Sequence, residues 1–251
     1  MSHIQKTLEI QPGFVGYLTA GDGGLSRSKE AMLALIRGGV NVLEVGVPFS
    51  DPVADGATIE AAAERALKTG TSLEDVLQLI CELREETEIP IILFSYYNPI
   101  LQAGKDFYQR ARKAGVDGFL MVDLPIEESD SYCESCEDAN LDPVFLISPS
   151  TPIGRVKTIQ AKSKGMLYYV CRSGTTGVKD SLPDDFKQRL SEIKAVSMLP
   201  VVAGFGISNR KMAEAVLKYA DGFVVGSLFV NAVAEGETPE ALEALAASIR
   251  P

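Results

Sequence analysis

Eight short β-rich runs, spread along the whole chain and separated by segments of helical period, constrain its fold more than any other feature. They are 14 to 20 (FVGYLTA), 40 to 47 (VNVLEVGV), 90 to 96 (PIILFSY), 118 to 124 (GFLMVDL), 143 to 148 (PVFLIS), 166 to 172 (MLYYVCR), 199 to 205 (LPVVAGF) and 222 to 227 (GFVVGS). Nearly all are continuously apolar, as strands covered on both faces of a parallel sheet must be. The intervening segments carry helical spacing. Leu73, Val76, Leu77, Ile80 and Leu83 share one face, and Ser72 with Asp75 forms a capping box at its start. Thr238 as N-cap and Pro239 at the first helical position predict a last helix running to Arg250. Right-handed βα crossovers repeated eight times favour an α/β fold of the TIM (β/α)8 type, a parallel eight-stranded barrel with outer helices. An open doubly wound sheet uses the same local grammar and is the alternative.

The chain has 251 residues, 46% of them apolar, which matches one barrel and predicts a single domain over residues 1–251. A weak internal repeat marks helix-to-strand junctions at Gly39-Val40-Asn41, Gly115-Val116-Asp117-Gly118 and Tyr219-Ala220-Asp221-Gly222. The formal charge of −10 argues against nucleic acid as a partner, which needs a basic surface. No signal peptide and no apolar run of about 20 residues is present, so the expectation is a cytoplasmic protein with no membrane association. Cys81, Cys133, Cys136 and Cys171 are expected as reduced thiols. The Cys133/Cys136 pair lies in a polar helical stretch without a second pair and reads as helix-surface cysteines. His3 is the one histidine, in a terminus expected to fray. Metal-dependent chemistry and a strand-end Schiff-base lysine both lack candidates, so a carboxylate acid/base mechanism remains, with no metal expected.

Glu44 interrupts an apolar strand on the same face as Val42 and Gly46, expected to be the lumen side near the mouth. A carboxylate there is raised in pKa, as a general acid requires; a polar plug or an ion pair is the competing reading. The next loop, Pro48 to Gly56, is rich in Pro, Gly and acids and reads either as a mobile acidic lid or as a solvated turn closed by Asx-turns. Asp55 in this loop is the second candidate. Gly204-Phe205-Gly206-Ile207-Ser208 and Gly226-Ser227 end the last two runs and open helices, which is where barrels bind phosphate on backbone N–H groups. Gly174 and Gly177 are candidates to complete that cradle, and ordinary turn glycines are the competing reading.

The run Leu43 to Gly56 (LEVGVPFSDPVADG) resembles the signature of the tryptophan synthase α-subunit family. The resemblance continues through Tyr17 to Asp22, Tyr96 to Pro99, Val122 to Pro125, Arg172 to Gly177, Gly204 to Ser208 and Gly226-Ser227, in order and spacing. It implies a lyase that cleaves indole-3-glycerol phosphate to indole and glyceraldehyde 3-phosphate by a retro-aldol step. Glu44 would protonate indole C3 and assist deprotonation of the glycerol-chain hydroxyl, and Asp55 would accept the indole N–H. Tyr168 would line the site near Glu44. Tyr17, Leu120, Leu146 and Phe205 would line the substrate pocket, although each leucine and Phe205 also reads as plain barrel core. Gly177, Gly206, Gly226 and Ser227 would hold the phosphate, and Thr176 would pair with Asp55 when the two loops close. The resemblance also implies a β-subunit partner in an αββα complex that receives the indole, with pyridoxal phosphate in that partner and no cofactor in this chain. Cys171, Thr175 and Ala57 depart from the family pattern. They motivate a second reading, a catalytically weak or inactive α subunit that chiefly activates the β subunit.

Overall fold

The computed structural model describes residues 1–170, 182–183, 185–204 and 206–251. Eight parallel strands close into a barrel in sequence order: β1 (Gly13–Thr19), β2 (Val42–Gly46), β3 (Ile91–Ser95), β4 (Gly118–Met121), β5 (Asp142–Ile147), β6 (Leu167–Val170), β7 (Val201–Gly204) and β8 (Gly222–Val225). β1 pairs with both β2 and β8, which excludes the open doubly wound alternative. The eight expected runs each yield one strand. They overshoot most at the upper ends, as at Val122 to Leu124, where the chain leaves the ladder for the mouth.

Alternation along each strand sorts side chains between two cores. One layer fills the lumen, with Val15, Val42, Ile92, Leu120, Val144, Met166, Val202 and Val224 each contributed at or beside a different strand. The opposite faces, for example Leu43, Val45, Leu93, Phe119 and Phe223, pack under the outer helices. The floor of the lumen is closed by the helix His3–Ile10, whose Ile4 and Leu8, four residues apart, join the lumen core. The expectation of a fraying N-terminus is therefore corrected. Ser2 caps this helix on the amide of Gln5, and Nδ1 of His3 lies 3.1 Å from a carboxylate oxygen of Asp117. An eight-residue helix has little stability in isolation and is held here by the core it plugs.

The repeated junctions have a shared physical basis. Asn41 Oδ1 accepts from the amide of Phe14 at 2.8 Å, and Asp117 Oδ2 from that of Ile91 at 2.9 Å. Asp221 Oδ2 accepts from Val201 at 2.9 Å. In each case the acceptor at the foot of one strand satisfies an amide at the foot of the preceding strand, so the repeat pins strand register around the floor. Asp117 is the hub of this face. It also receives Arg84 and Arg112.

The capping box at Ser72 and Asp75 opens the helix Leu73–Arg84, and Thr238 caps the last helix, Pro239–Ile249, by accepting from Ala241. A correction concerns the cysteine pair. Cys136 lies on the inner face of the helix Asp130–Asp138 and is fully buried, while Cys133 is half-buried; both thiols are free, and burial pushes them upward in pKa. Among the described residues no group of His, Cys, Asp and Glu could hold a metal ion, and no helix is long and apolar enough to cross a membrane.

Candidate active site

Strand parity places Glu44 in the lumen above Val42, in register with Tyr17 of β1 and Ile92 of β3. Its carboxylate is 1% exposed, and neither oxygen has a hydrogen-bond partner among the described residues. A charged carboxylate without donors in such a place is strongly disfavoured, so burial alone pushes its pKa up to about 8. Glu44 is therefore held largely protonated at neutral pH. The same fact counts against the plug reading, because a structural polar plug would be satisfied by neighbours.

Beside Glu44 the ring of Tyr17 leans upward over β2. A Cβ at Gly46 would come within 2.2 Å of the Tyr17 hydroxyl, so only glycine admits the ring in this place. The same device recurs across the barrel. Tyr168 on β6 leans over β7, where a Cβ at Gly204 would meet its hydroxyl at 2.8 Å. Both tyrosines thus lie low across the mouth at strands one and six. The Tyr17 hydroxyl is 3.2 Å from Thr19 Oγ1, and its ring meets Phe94 edge-on at 5.1 Å. Burial raises its pKa first, and the neighbouring acid Asp55 raises it further, with smaller contributions from Glu44 and Tyr96. Tyr17 accordingly lies close to both candidate carboxylates.

Asp55 reaches this ring from the loop after β2. Two tight turns shape the loop, with Val53 N–H donating to Asp51 O at 2.9 Å and Asp55 N–H to Pro52 O at 3.1 Å. Gly56 then caps the helix Ala57–Lys68. The Asp55 carboxyl is half-buried and its pKa rises to about 6, chiefly through burial, with Tyr96 opposing the rise and Glu60 adding to it. Ser50 Oγ donates to the Asp51 carboxylate at 2.6 Å, a bond between side chains and not the Asx-turn expected of a solvated loop, while Asp55 lies close to Tyr17.

Leu120 is fully buried in the lumen core, whereas Leu146 is only partly buried and lines the mouth with Val122 and Asp123. Of the two, Leu146 is accessible from the mouth. Gly206 adopts φ +51°, and Gly226 caps the helix Ser227–Ala234 without any side chain bonding the first amides. The neighbouring helix Arg210–Leu217 differs, since Asn209 accepts from its Met212 amide at 3.0 Å. Of these two helices, the one after β8 has the open N-terminus. Thr176, Gly177 and Phe205, with Gly174, lie outside the described residues.

Comparison with known proteins shows the family. The family model for the tryptophan synthase alpha chain matches residues 4–249. The chain belongs to this family. A tryptophan synthase alpha chain of Coxiella burnetii is 57% identical over 251 residues, covering 100% of this chain and 98% of the relative, and one from Chlamydia felis is 46% identical over 255 residues, covering 100% and 99%. Among solved structures, the tryptophan synthase subunit alpha from Legionella pneumophila superposes with a TM-score of 0.89 at 37% identity, covering 100% of this chain and 97% of that one. A chain of the tryptophan synthase a2b2 complex from Pyrococcus furiosus gives 0.89 at 37% identity, covering 94% and 97%. The tryptophan synthase alpha chain family catalyses cleavage of indole-3-glycerol phosphate, a lyase reaction, as the sequence resemblance implied.

One residue that sequence reasoning did not single out is Tyr96, quoted above only as part of a matching run. It continues the lumen-facing parity of Ile92 and Phe94, and it is 2% exposed. That parity was the available signal.

Proposed function

We propose that this chain cleaves indole-3-glycerol phosphate with Glu44 as general acid and base and Asp55 as the fixed anion. The observation that carries this is Glu44, buried at the mouth with no hydrogen-bond partner for its carboxyl among the described residues, with Tyr17 beside it on the neighbouring strand. Retro-aldol cleavage needs a proton delivered to indole C3 and a proton removed from the glycerol-chain hydroxyl. A carboxylic acid with a pKa near 8 begins protonated, gives its proton to carbon, and as the resulting carboxylate takes the hydroxyl proton. The C3–C1′ electron pair returns to the indole ring while the C1′–O bond becomes a carbonyl. Asp55, with the lower pKa, is ionised at neutral pH and stabilises positive charge developing on the indole nitrogen.

Tyr17, Tyr168 and Leu146 would flank the indole, with Leu120 beneath and Phe205 on the β7 side. The phosphate would lie on the open amides at Gly226 and Ser227 and on Gly206, where glycine lets an anion approach the backbone and the helix dipole favours it. Gly177 and Thr176 would complete the cradle and the closed loop. The partner is a tryptophan synthase β subunit in an αββα assembly, as the a2b2 complex among the structural relatives suggests. Pyridoxal phosphate chemistry would belong to that subunit, and a cytoplasmic location fits such a biosynthetic role. Indole release from indole-3-glycerol phosphate, with and without a cognate β subunit, tests the reading. Turnover that persists unchanged in Glu44→Gln would overturn it.

A further inference from the structure

Three separate contacts converge on Tyr96, and all three come from the loop that carries Asp55. The ring of Phe49 stacks on the Tyr96 ring, with centroids 5.0 Å apart and planes 30° from parallel. The amide of Ala54 donates to the Tyr96 hydroxyl at 2.9 Å. The Asp55 carboxyl is the third, close enough to the same hydroxyl for each to act on the other's proton affinity. A hydroxyl oxygen that accepts an amide proton keeps its own proton to give. Its donation is therefore directed to the carboxylate one residue further along. Tyr96 itself does not drift, because it is buried and stands where β3 gives way to the helix Tyr97–Ala103, whose first amide donates to Asp123 at 2.7 Å.

We infer that Tyr96 is a positioning residue for Asp55. It fastens the loop after β2 to the end of β3 and presents the Asp55 carboxylate, ionised, to the site. The inference rests on the proposed role of Asp55 and extends it to a residue that does not itself meet the reacting atoms. The carboxylate is otherwise poorly supported. It stands in a loop whose neighbouring Val53 is 86% exposed, and among the described residues the other titratable groups that act on it or feel it are Tyr17 from β1 and Glu60 from the helix Ala57–Lys68, neither of them a cation. A carboxylate placed among those groups gains a proton more readily than one that also receives a hydroxyl proton.

Tyr96→Phe keeps the ring and its stack on Phe49 while removing the donor, so the fold is expected to be kept, which an unchanged thermal unfolding midpoint verifies. Indole release is measured against pH for the parent, Tyr96→Phe, Asp55→Asn and the double variant, all with the β subunit present. Loss of a hydrogen bond to a charged group carries about ten- to hundredfold, and the expected fall lies in kcat, with KM changed by less than about threefold. The acid limb of the kcat/KM profile is expected to move up from near pH 6. In the Asp55→Asn background Tyr96→Phe should have almost no further effect. Phe49→Leu, which loosens the stack and leaves the hydroxyl, should keep the acid limb of the parent. Equal losses in both backgrounds, an unmoved acid limb in Tyr96→Phe, or the same limb shift in Phe49→Leu would each overturn the inference. Should Asp55→Asn itself turn over at the parent rate, the role proposed for Asp55 fails, and the inference falls with it.

Discussion

The hydroxyl of Tyr17 lies directly above Gly46, so near that a Cβ there would stand 2.2 Å from it and 2.6 Å from the ring carbon that bears it. Neither neighbour can retreat, since both belong to paired strands of the barrel. Gly46→Ala must therefore displace the Tyr17 ring from its place beside Glu44. Overpacking of this kind costs about 1 to 3 kcal/mol. Urea unfolding should show that loss, and kcat/KM should fall with it. Because the nearest clash is with the hydroxyl, Tyr17→Phe introduced together with Gly46→Ala should recover part of the stability; a double variant less stable than Gly46→Ala alone would refute the packing argument.

The two carboxylates predict a bell-shaped kcat/KM profile, with an acid limb near pH 6 from Asp55 and an alkaline limb near pH 8 from Glu44. Asp55→Asn should remove the acid limb. Glu44→Gln should lower turnover by at least about a hundredfold, as expected for a group that serves two proton transfers. Profiles whose alkaline limb survives in the residual activity of Glu44→Gln would assign that limb elsewhere.

Glu44 should also make stability depend on pH in a sense opposite to a salt-bridged acid. Its pKa is higher in the folded protein, about 8, than the 4.5 of a free side chain, so the folded state holds the extra proton between those values. The contribution is fully present below pH 4.5 and is lost progressively as pH rises to about 8. The limiting slope is about 1.4 kcal/mol per pH unit. Glu44→Gln lacks this titration. Urea melts at several pH values should therefore show the variant gaining on the parent as pH rises, and a constant difference between the two would contradict burial of the acid.

The opposite face of the barrel should behave differently. Asp117 accepts from Arg84, Arg112 and the amide of Ile91, and it contacts His3. Asp117→Ala removes the counter-charge of the Arg84 guanidinium, whose side chain is only 18% exposed and which then keeps only the carbonyls of Gly115, Thr87 and Ile89. Breaking a buried pair by removing one partner costs about 3 to 5 kcal/mol. Turnover of the folded variant should stay near that of the parent, because this face carries stability and the mouth carries chemistry. A large fall in kcat without loss of stability would break that division.

Ser227→Asp places a negative charge on the open N-terminus of the helix Ser227–Ala234. It stabilises the helix end, yet it competes with a bound phosphate for the same amides. Inorganic phosphate and glycerol phosphate should bind at least about tenfold more weakly, with KM raised more than kcat is lowered. Unchanged binding of both probes would move the phosphate site away from this turn.

Much of this protein was legible in the chain because the relevant physics is local. Continuous apolar runs mark strands covered on both faces, and the capping boxes and caps at Ser72 and Thr238 satisfy amides three residues away. Parity alone put Glu44 on the face of Val42, and from that its desolvation follows. Barrel closure decided the rest. The N-terminal helix is too short to be stable alone, and its sequence does not reveal that Ile4 and Leu8 plug the lumen. Cys136 reads as part of a polar helix until β5 and its neighbours cover it. Tyr96 and Asp55 are separated by 41 positions of chain, and Tyr17 stands 38 positions before Asp55 and 79 before Tyr96, so their meeting depends on the stagger between β1, β2 and β3. A local pattern carries no information about such distances, because they are fixed only when all eight strands agree on one register.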